Sequence, residues 1–439
     1  MRWKRLNEVE PEDLARIKRR AAGGFEAEGI TERARVIMHE VRQRGDEAVR
    51  EYTARFDGVQ LENFEVSQAE MQAAVQAVAP EFVTAVRQVI ANVTKFHATH
   101  VQTEEEHVWT EAGIELWRVW RPIERVGIYV PGGKSILPSS LLMGCIPAGL
   151  AGCKEIIVCA PPDKEGQLPA PTLAAAALLD LPNLRIFKIG GAQAIAAMAY
   201  GTATVPKVYK ICGPGNPYVT AAKMLAFGEG LVNIDMPAGP SEVLIIADDS
   251  ANPAFAAADF LSQAEHAPDS AAVLLTPSPE FAQKMAQEVA RQLPLLSTAD
   301  RASNSLEQFG MILVVEDLEQ AVEFANDYAP EHLEVCTENA DELISRLNNA
   351  GTIFVGNYTP ESSGDYVSGL NHVLPTGANT KMFGPLAVES FGKKMQVQRM
   401  TKAGLTAIRH SAEVMAATEG LPGHGRAISI RFDDDTNGQ

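Results

Sequence analysis

The chain has 439 residues, enough for two or three structural units and a large buried core. Hydrophobic residues make up 46% and charged residues 21%, ordinary values for a globular protein. Lys and Arg number 38 against 56 Asp and Glu, a net charge of −18 that argues against a nucleic-acid partner and mildly favours a small cationic substrate.

The opening MRWKRLNEVEPEDLARIKRR has no apolar leader core, and no stretch reaches the ~18 apolar residues of a membrane span. A soluble, cytoplasmic protein without a membrane partner is expected. Residues 1 to about 100 read as mostly helical, with apolar residues at helical spacing from Glu70 to Ala98 and Pro80 dividing that stretch in two. From there short β-rich runs alternate with Ala-rich helical segments. The first set is RVGIYV (125–130), EIIVCA (155–160), RIFKIG (185–190), KVYKIC (207–212) and VNIDM (232–236). The pattern restarts with EVLIIA (242–247), AVLLT (272–276), MILVVE (311–316), HLEVC (332–336) and TIFV (352–355). Such alternation implies parallel sheets covered on both faces, and its restart suggests a duplicated architecture, although no sequence repeat accompanies it. After Ser390 come a strand-like MQVQRM, a helix over 404–418 and a strand-like ISIRF (428–432). This tail is too small to fold alone and is expected to pack on a neighbour or a second subunit. The final DDDTNGQ reads as disordered.

No GxGxxG follows any predicted strand. The glycine-rich turns are PGGK (131–134), GGAQ (190–193), GPGN (213–216) and AGPS (238–241). Backbone N–H groups at such turns hold phosphates, and the same residues also simply make tight turns. In SQAEH (262–266), Gln263 and His266 share a helical face, as ligands or as a polar surface. In APEHLEV (329–335), Glu331 and His332 open a strand with an acid beside an imidazole, a pair suited to proton transfer or to a solvated loop. The segment PESSGDYVSGLNHVLPTG (360–377) carries Asp365 and His372 in what reads as a long loop. EGLPGHGRA (419–427) places Glu419 and His424 after the tail helix, where Gly420 and Pro422 also explain a plain helix stop. The five Cys (145, 153, 159, 212 and 336) form no CxxC, which points to a reducing compartment, and those in apolar settings read as inert core residues.

Taken in order, RVGIYVPGGK, GGAQAIAAMAYGT, ICGPGN, IDMPAGPSEVLIIAD, LSQAEHAPDS, APEHLEV and PESSGDYVSGLNHVLPTG resemble the histidinol dehydrogenase family, from about residue 30 to Phe432. The resemblance implies a zinc- and NAD-dependent four-electron oxidation of L-histidinol through L-histidinal to L-histidine, in histidine biosynthesis. It places zinc ligands on Gln263, His266, Asp365 and His424, the last from the partner subunit of a homodimer. Acid–base residues fall on Glu331 and His332. Substrate contacts fall on Ser241, Gln263, His266, His332, Asp365, His372, Glu419 and His424, and cofactor contacts on Tyr129, Gln193 and Asn216. Two positions depart from the family pattern: Ala267, where Gly is common, and Ile136, where an aromatic is common.

The implied fold is α/β, with two Rossmann-like parallel-sheet domains and small N-terminal helical and C-terminal tail regions. Residues 1–128 are expected to pack with 242–386 as one discontinuous domain, 129–241 to form the second, and 387–439 to reach the partner's site. The alternatives are a related zinc-dependent alcohol dehydrogenase acting on another small primary alcohol such as a sulfonated diol, a zinc hydrolase using Glu331, and a non-catalytic metal-binding homologue. The intact GPSEV (239–243) favours histidinol.

Overall fold

A computed structural model describes residues 3–18, 29–101, 105–132, 136–237 and 239–435. Gly133 and Lys134 of the PGGK turn, Ala238 of the AGPS turn and the last four residues lie outside that description. The chain divides into two compact units, residues 1–100 with 123–391, and residues 101–122 with 392–439.

Along the chain, β1 (Trp3–Arg5), β2 (Val108–Glu111) and β3 (Ile114–Pro122) precede two α/β blocks. The first block holds β4 (Arg125–Tyr129), β5 (Glu155–Ala160), β6 (Leu184–Lys188), β7 (Lys210–Cys212) and β8 (Asn233–Ile234). The second holds β9 (Glu242–Ala247), β10 (Ala271–Thr276), β11 (Gly310–Val314), β12 (His332–Cys336) and β13 (Thr352–Val355), and β14 (Gly392–Met400) follows.

In the first unit, the five-stranded sheet runs β6-β5-β4-β7-β8 and the six-stranded sheet β1-β11-β10-β9-β12-β13, with every pair parallel. Leaving out β1, both sheets are wound in the order 3-2-1-4-5, so the duplication expected from the restarting pattern is present in topology. Both are covered on two faces, which is why β9 and β10 are buried at every position and read as unbroken apolar runs. Each fully buried Leu, Ile or Val contributes about 1.5–3 kcal/mol relative to exposure. The helix Pro138–Ala151 is apolar all round because it lies inside this packing.

The N-terminal segment divides between the sheets. Residues 3–18 join the six-stranded sheet, where β1 pairs with β11 and Ile17 enters the core. The helices Ile30–Arg44 and Asp46–Phe56 pack instead on the helices of the five-stranded sheet and share its core through Ile37, Val41 and Val49. This differs from the expected pairing of 1–128 with 242–386. The apolar stripe of those helices fits the Ala-rich face of the helix Gly191–Tyr200.

Three local expectations change. VNIDM is a strand only at Asn233–Ile234. The segment 360–377 is not all loop, since Glu361–Tyr366 is helical. ISIRF is not a strand: the helix Pro422–Ser429 runs into a tight helical turn over Ile430–Asp435. That turn places Phe432 beneath the cations of Arg409 and Lys402 and pairs Arg426 with Asp433. The strands at 108–122 were not foreseen; β3 pairs antiparallel with β2 and with β14 inside the second unit. Among the described residues, no helix is long and apolar enough to cross a membrane.

Candidate active site

The helix Leu318–Tyr328 ends at Ala329, held in the left-handed region at φ 53°. This turn and Pro330 deliver Glu331 and His332 to the amino end of β12. The Gly351 and Thr352 N–H groups donate to the carbonyls of Pro330 and Glu331 at 3.0 Å each. A Cβ on Gly351 would lie 2.5 Å from the Glu331 carbonyl oxygen, so only glycine permits this approach.

Glu331 Oε2 accepts the Glu242 N–H at 3.0 Å. His332 Nδ1 lies 3.3 Å from the Glu242 carbonyl, 3.7 Å from Glu331 Oε2 and 4.0 Å from Glu361 Oε1, while Nε2 lies 3.5 Å from Asp365 Oδ1. His332 is 2% exposed and Glu361 1%. Burial alone would lower the imidazole's pKa, but Glu361, Glu331 and Asp365 outweigh it and hold His332 well above its ordinary value. Burial pushes Glu331 up to about 7 and Glu361 up to about 8. Asp365 stays below its ordinary value because His332, with His372 and His266, outweighs its burial.

Gln263 sits in the last turn of the helix Pro253–Ala264. His266 follows just beyond the helix end, its N–H donating to the Gln263 carbonyl at 3.2 Å. Ligand atoms of His266, Glu361 and Asp365 lie within 4.8 Å of one another. The Gln263 amide nitrogen, turned toward Glu361, donates to the two carboxylate oxygens at 3.0 and 3.2 Å. One imidazole, two carboxylates and an amide make a nitrogen–oxygen donor set that suits a borderline divalent cation such as zinc or manganese. The crowded carboxylates, with Glu361 already forced upward, are the electrostatic complement of such a charge.

The sequence reading did not single out Glu361. The signal was its spacing: Glu361 and Asp365 are four apart, one face of one helical turn. Glu334 was also missed. It lies two residues past His332 on the same face of β12, and its Oε1 accepts the Glu361 N–H at 3.1 Å. Burial, with Asp259 and Glu361 nearby, holds Glu334 well above its ordinary value.

His372 joins this group. Its Nδ1 meets the Asp365 carbonyl at 2.8 Å and its Nε2 meets Ser140 Oγ at 3.3 Å. Asn371 fastens the segment by donating to the Met143 carbonyl at 2.8 Å. Ser241 stands at the amino end of β9, next to Glu242. Glu419 and His424 belong to the second unit, where both are exposed.

Tyr129, Gln193 and Asn216 line a cleft of about 1010 Å³ at the carboxyl ends of β4 and β7, where the winding of the five-stranded sheet reverses. Open α/β sheets bind nucleotides at this point. The Tyr129 hydroxyl accepts the Gly191 N–H at 3.1 Å. Asn216 caps the helix Pro217–Gly228 by accepting the N–H groups of Tyr218 and Val219 at 3.0 and 3.1 Å. The turn before it is fixed at Gly213, whose φ is 114° and whose added Cβ would lie 2.1 Å from the Tyr129 carbonyl oxygen. Gln193 is 1% exposed, and neither of its amide atoms has a protein partner. A neighbouring cleft shares Gly132 and Leu137 with this one and is bordered by His266. The nucleotide-type cleft therefore opens beside the imidazole–carboxylate group.

All five cysteines are free and buried. Burial pushes every thiol up, Cys153 and Cys336 to about 12 and the others further, so none is a thiolate near neutral pH.

Residues 21–432 match the family model described as histidinol dehydrogenase. A histidinol dehydrogenase of Xanthomonas euvesicatoria is 47% identical over 396 residues, covering 90% of this chain and 91% of the relative. One from Methanosarcina barkeri is 42% identical over 432 residues, 98% of each chain. The crystal structure of histidinol dehydrogenase from Elizabethkingia anophelis superposes with a TM-score of 0.92 at 41% identity, covering 98% of this chain and 97% of that one.

Proposed function

This chain belongs to the histidinol dehydrogenase family, oxidoreductases of histidine biosynthesis, and we propose that it oxidises L-histidinol through L-histidinal to L-histidine in one site, with NAD as hydride acceptor and zinc as resident metal. The observation that carries this reading is the cluster of His332, Glu331, Glu361, Asp365, Gln263 and His266 beside a nucleotide-type cleft.

Gln263, His266 and Asp365 would hold the metal, with Glu361 adjoining them. A bound divalent cation would supply a fixed charge that orients the substrate's nitrogen ligands and offsets the carboxylates that raise His332, so that the imidazole could accept a proton. Tyr129, Gln193 and Asn216 would hold the dinucleotide, which would serve as the hydride acceptor for both oxidations. His332 takes the alcohol proton as the first hydride leaves. Glu331, pushed up to about 7, has the basicity to activate water against the aldehyde near neutral pH. A base then takes the proton of the hydrate as the second hydride leaves. Holding both steps in one place keeps the aldehyde from bulk water and stray amines. His372, tied between Ser140 and the Asp365 carbonyl, and Ser241 would position the substrate.

The enzyme would act as a homodimer in which Glu419 and His424 of each subunit complete the partner's site. Their exposure supports this, as do the exposed apolar Val414, Met415, Leu421 and Ile430 around them. The absence of a spanning helix among the described residues accords with a cytoplasmic enzyme.

The test is NADH formed per histidinol consumed, before and after chelation. Two NADH per histidinol, lost on chelation and restored by zinc, supports the reading. One NADH means that the aldehyde escapes, and none with metal bound overturns the substrate assignment.

A further inference from the structure

Asp57 caps the helix Asp46–Phe56, and its side chain lines the large cleft. Its Oδ2 is buried and has no hydrogen-bond partner. Leaving a buried carboxylate oxygen unpaired costs free energy, and burial accordingly pushes this carboxyl up to about 6. A structural carboxylate normally comes with a partner, as Asp235 has in Gly213, whereas Asp57 has no hydrogen bond to either oxygen among the described residues. The cationic neighbours in the cleft are otherwise engaged. Arg33 donates to the Tyr218 hydroxyl at 3.1 Å, and the Arg55 guanidinium lies 5.5 Å from the Phe56 ring centroid.

The cleft has two distinguishable ends. Gly132 and Leu137 continue into the cavity bordered by His266, so the end of a dinucleotide that reacts must lie there. The wall made by the helices Ile30–Arg44 and Asp46–Phe56 contributes nothing to that second cavity. It is left for the non-reacting adenosine. An adenosine offers a carboxylate the two ribose hydroxyls and the adenine amino group, and of these a carboxylate on the ribose hydroxyls is the general device by which α/β folds choose a cofactor without a ribose phosphate.

We propose that Asp57 is a specificity-determining residue that accepts hydrogen bonds from the adenosine ribose diol and rejects a cofactor phosphorylated at that position. This rests on the reading of the cleft as the NAD site. Asp57 sets which dinucleotide binds and takes no part in the hydride transfer, so its effect falls on KM and not on kcat.

Initial rates with NAD and NADP at saturating histidinol, for the wild type, Asp57→Asn and Asp57→Ala, test this, with thermal midpoints checking that each variant is folded. Inhibition by 5′-AMP and by 2′,5′-ADP reads the adenosine end without any chemistry. Loss of hydrogen bonds to a charged group predicts a rise of about tenfold or more in the KM for NAD, with kcat within about twofold. The preference for NAD over NADP, and for AMP over 2′,5′-ADP, is expected to shrink by a similar factor. Variants that keep the wild-type preferences overturn the assignment of Asp57 alone, as does a wild type indifferent to the phosphate. A wild type that reduces neither dinucleotide overturns the cofactor reading, and Asp57 falls with it.

Discussion

Lys223, on the helix Pro217–Gly228, and Asp235, just past β8, form an ion pair, each side chain only 2% exposed, and together they hold both faces of one turn. The Lys223 ammonium donates to the Gly213 carbonyl at 2.9 Å, and Asp235 Oδ2 accepts the Gly213 N–H at 2.7 Å. The pair therefore fixes the strained glycine that precedes Asn216 in the lining of the large cleft. Replacing Lys223 with Met strands a buried carboxylate, and a loss of about 3–5 kcal/mol in stability is expected. Thermal unfolding and the KM for NAD should both report it. A midpoint and a KM matching the wild type would falsify the structural role given to this pair.

His332→Asn removes the residue proposed to accept the alcohol proton but leaves Gln263, His266, Glu361 and Asp365 in place. Turnover is expected to fall by about 10²–10⁴, the usual worth of a positioned general base, with metal content unchanged. Stopped-flow NADH formation and metal analysis of the same preparation decide it. A fully active variant would remove His332 from the role of base.

Glu361→Gln probes the other side of the cluster. Glu361 adjoins His266 and Asp365 and draws the Gln263 amide nitrogen toward itself, which would leave the amide oxygen available as a ligand to a bound cation. Metal affinity is expected to drop about 10–100-fold, read by competition with a chromophoric chelator. An unchanged affinity would show that Glu361 serves proton transfer or packing only.

His97 is 1% exposed and neither ring nitrogen has a partner. Burial, with His100 nearby, lowers it from 6.5 to about 4. The unfolded chain thus binds a proton that the folded chain refuses. Stability from this site is intact above pH 6.5 and is lost as the pH falls from 6.5 to about 4. The wild-type thermal midpoint should fall more steeply over that range than that of His97→Phe. Parallel curves would mean that His97 finds a proton acceptor in solution.

Thiol chemistry offers an inexpensive check on the second oxidation. With all five thiols buried and shifted upward, iodoacetamide should leave the native enzyme fully active. Rapid inactivation, prevented by histidinol, would point instead to a cysteine that forms a thiohemiacetal with the aldehyde.

The parallel sheets were legible because strands buried on both faces carry unbroken apolar runs, and β12 was bounded to the residue by Pro330 and HLEVC. Glu331 and His332 were equivocal on local pattern, an acid–imidazole pair that also suits a solvated loop, and only the family resemblance marked them as an acid–base pair. Glu361 did not stand out, because its segment is rich in Gly and Ser and reads as a loop until the short helix is seen. The 428–432 tail misled for a related reason. Alternating Ile, Ser and Arg mimics a strand, and only the cations above Phe432 show why the chain stays helical there. The adoption of residues 30–56 by the five-stranded sheet was beyond local pattern, since an amphipathic helix does not announce which apolar face it will cover.

Two sheets of one winding present opposite rims. The first has its cleft at the carboxyl rim, where open α/β sheets take nucleotides. The second gathers Glu242 and His332 at its amino rim. Under the proposed function, one strand order would thus serve two tasks, binding at one rim and proton transfer at the other.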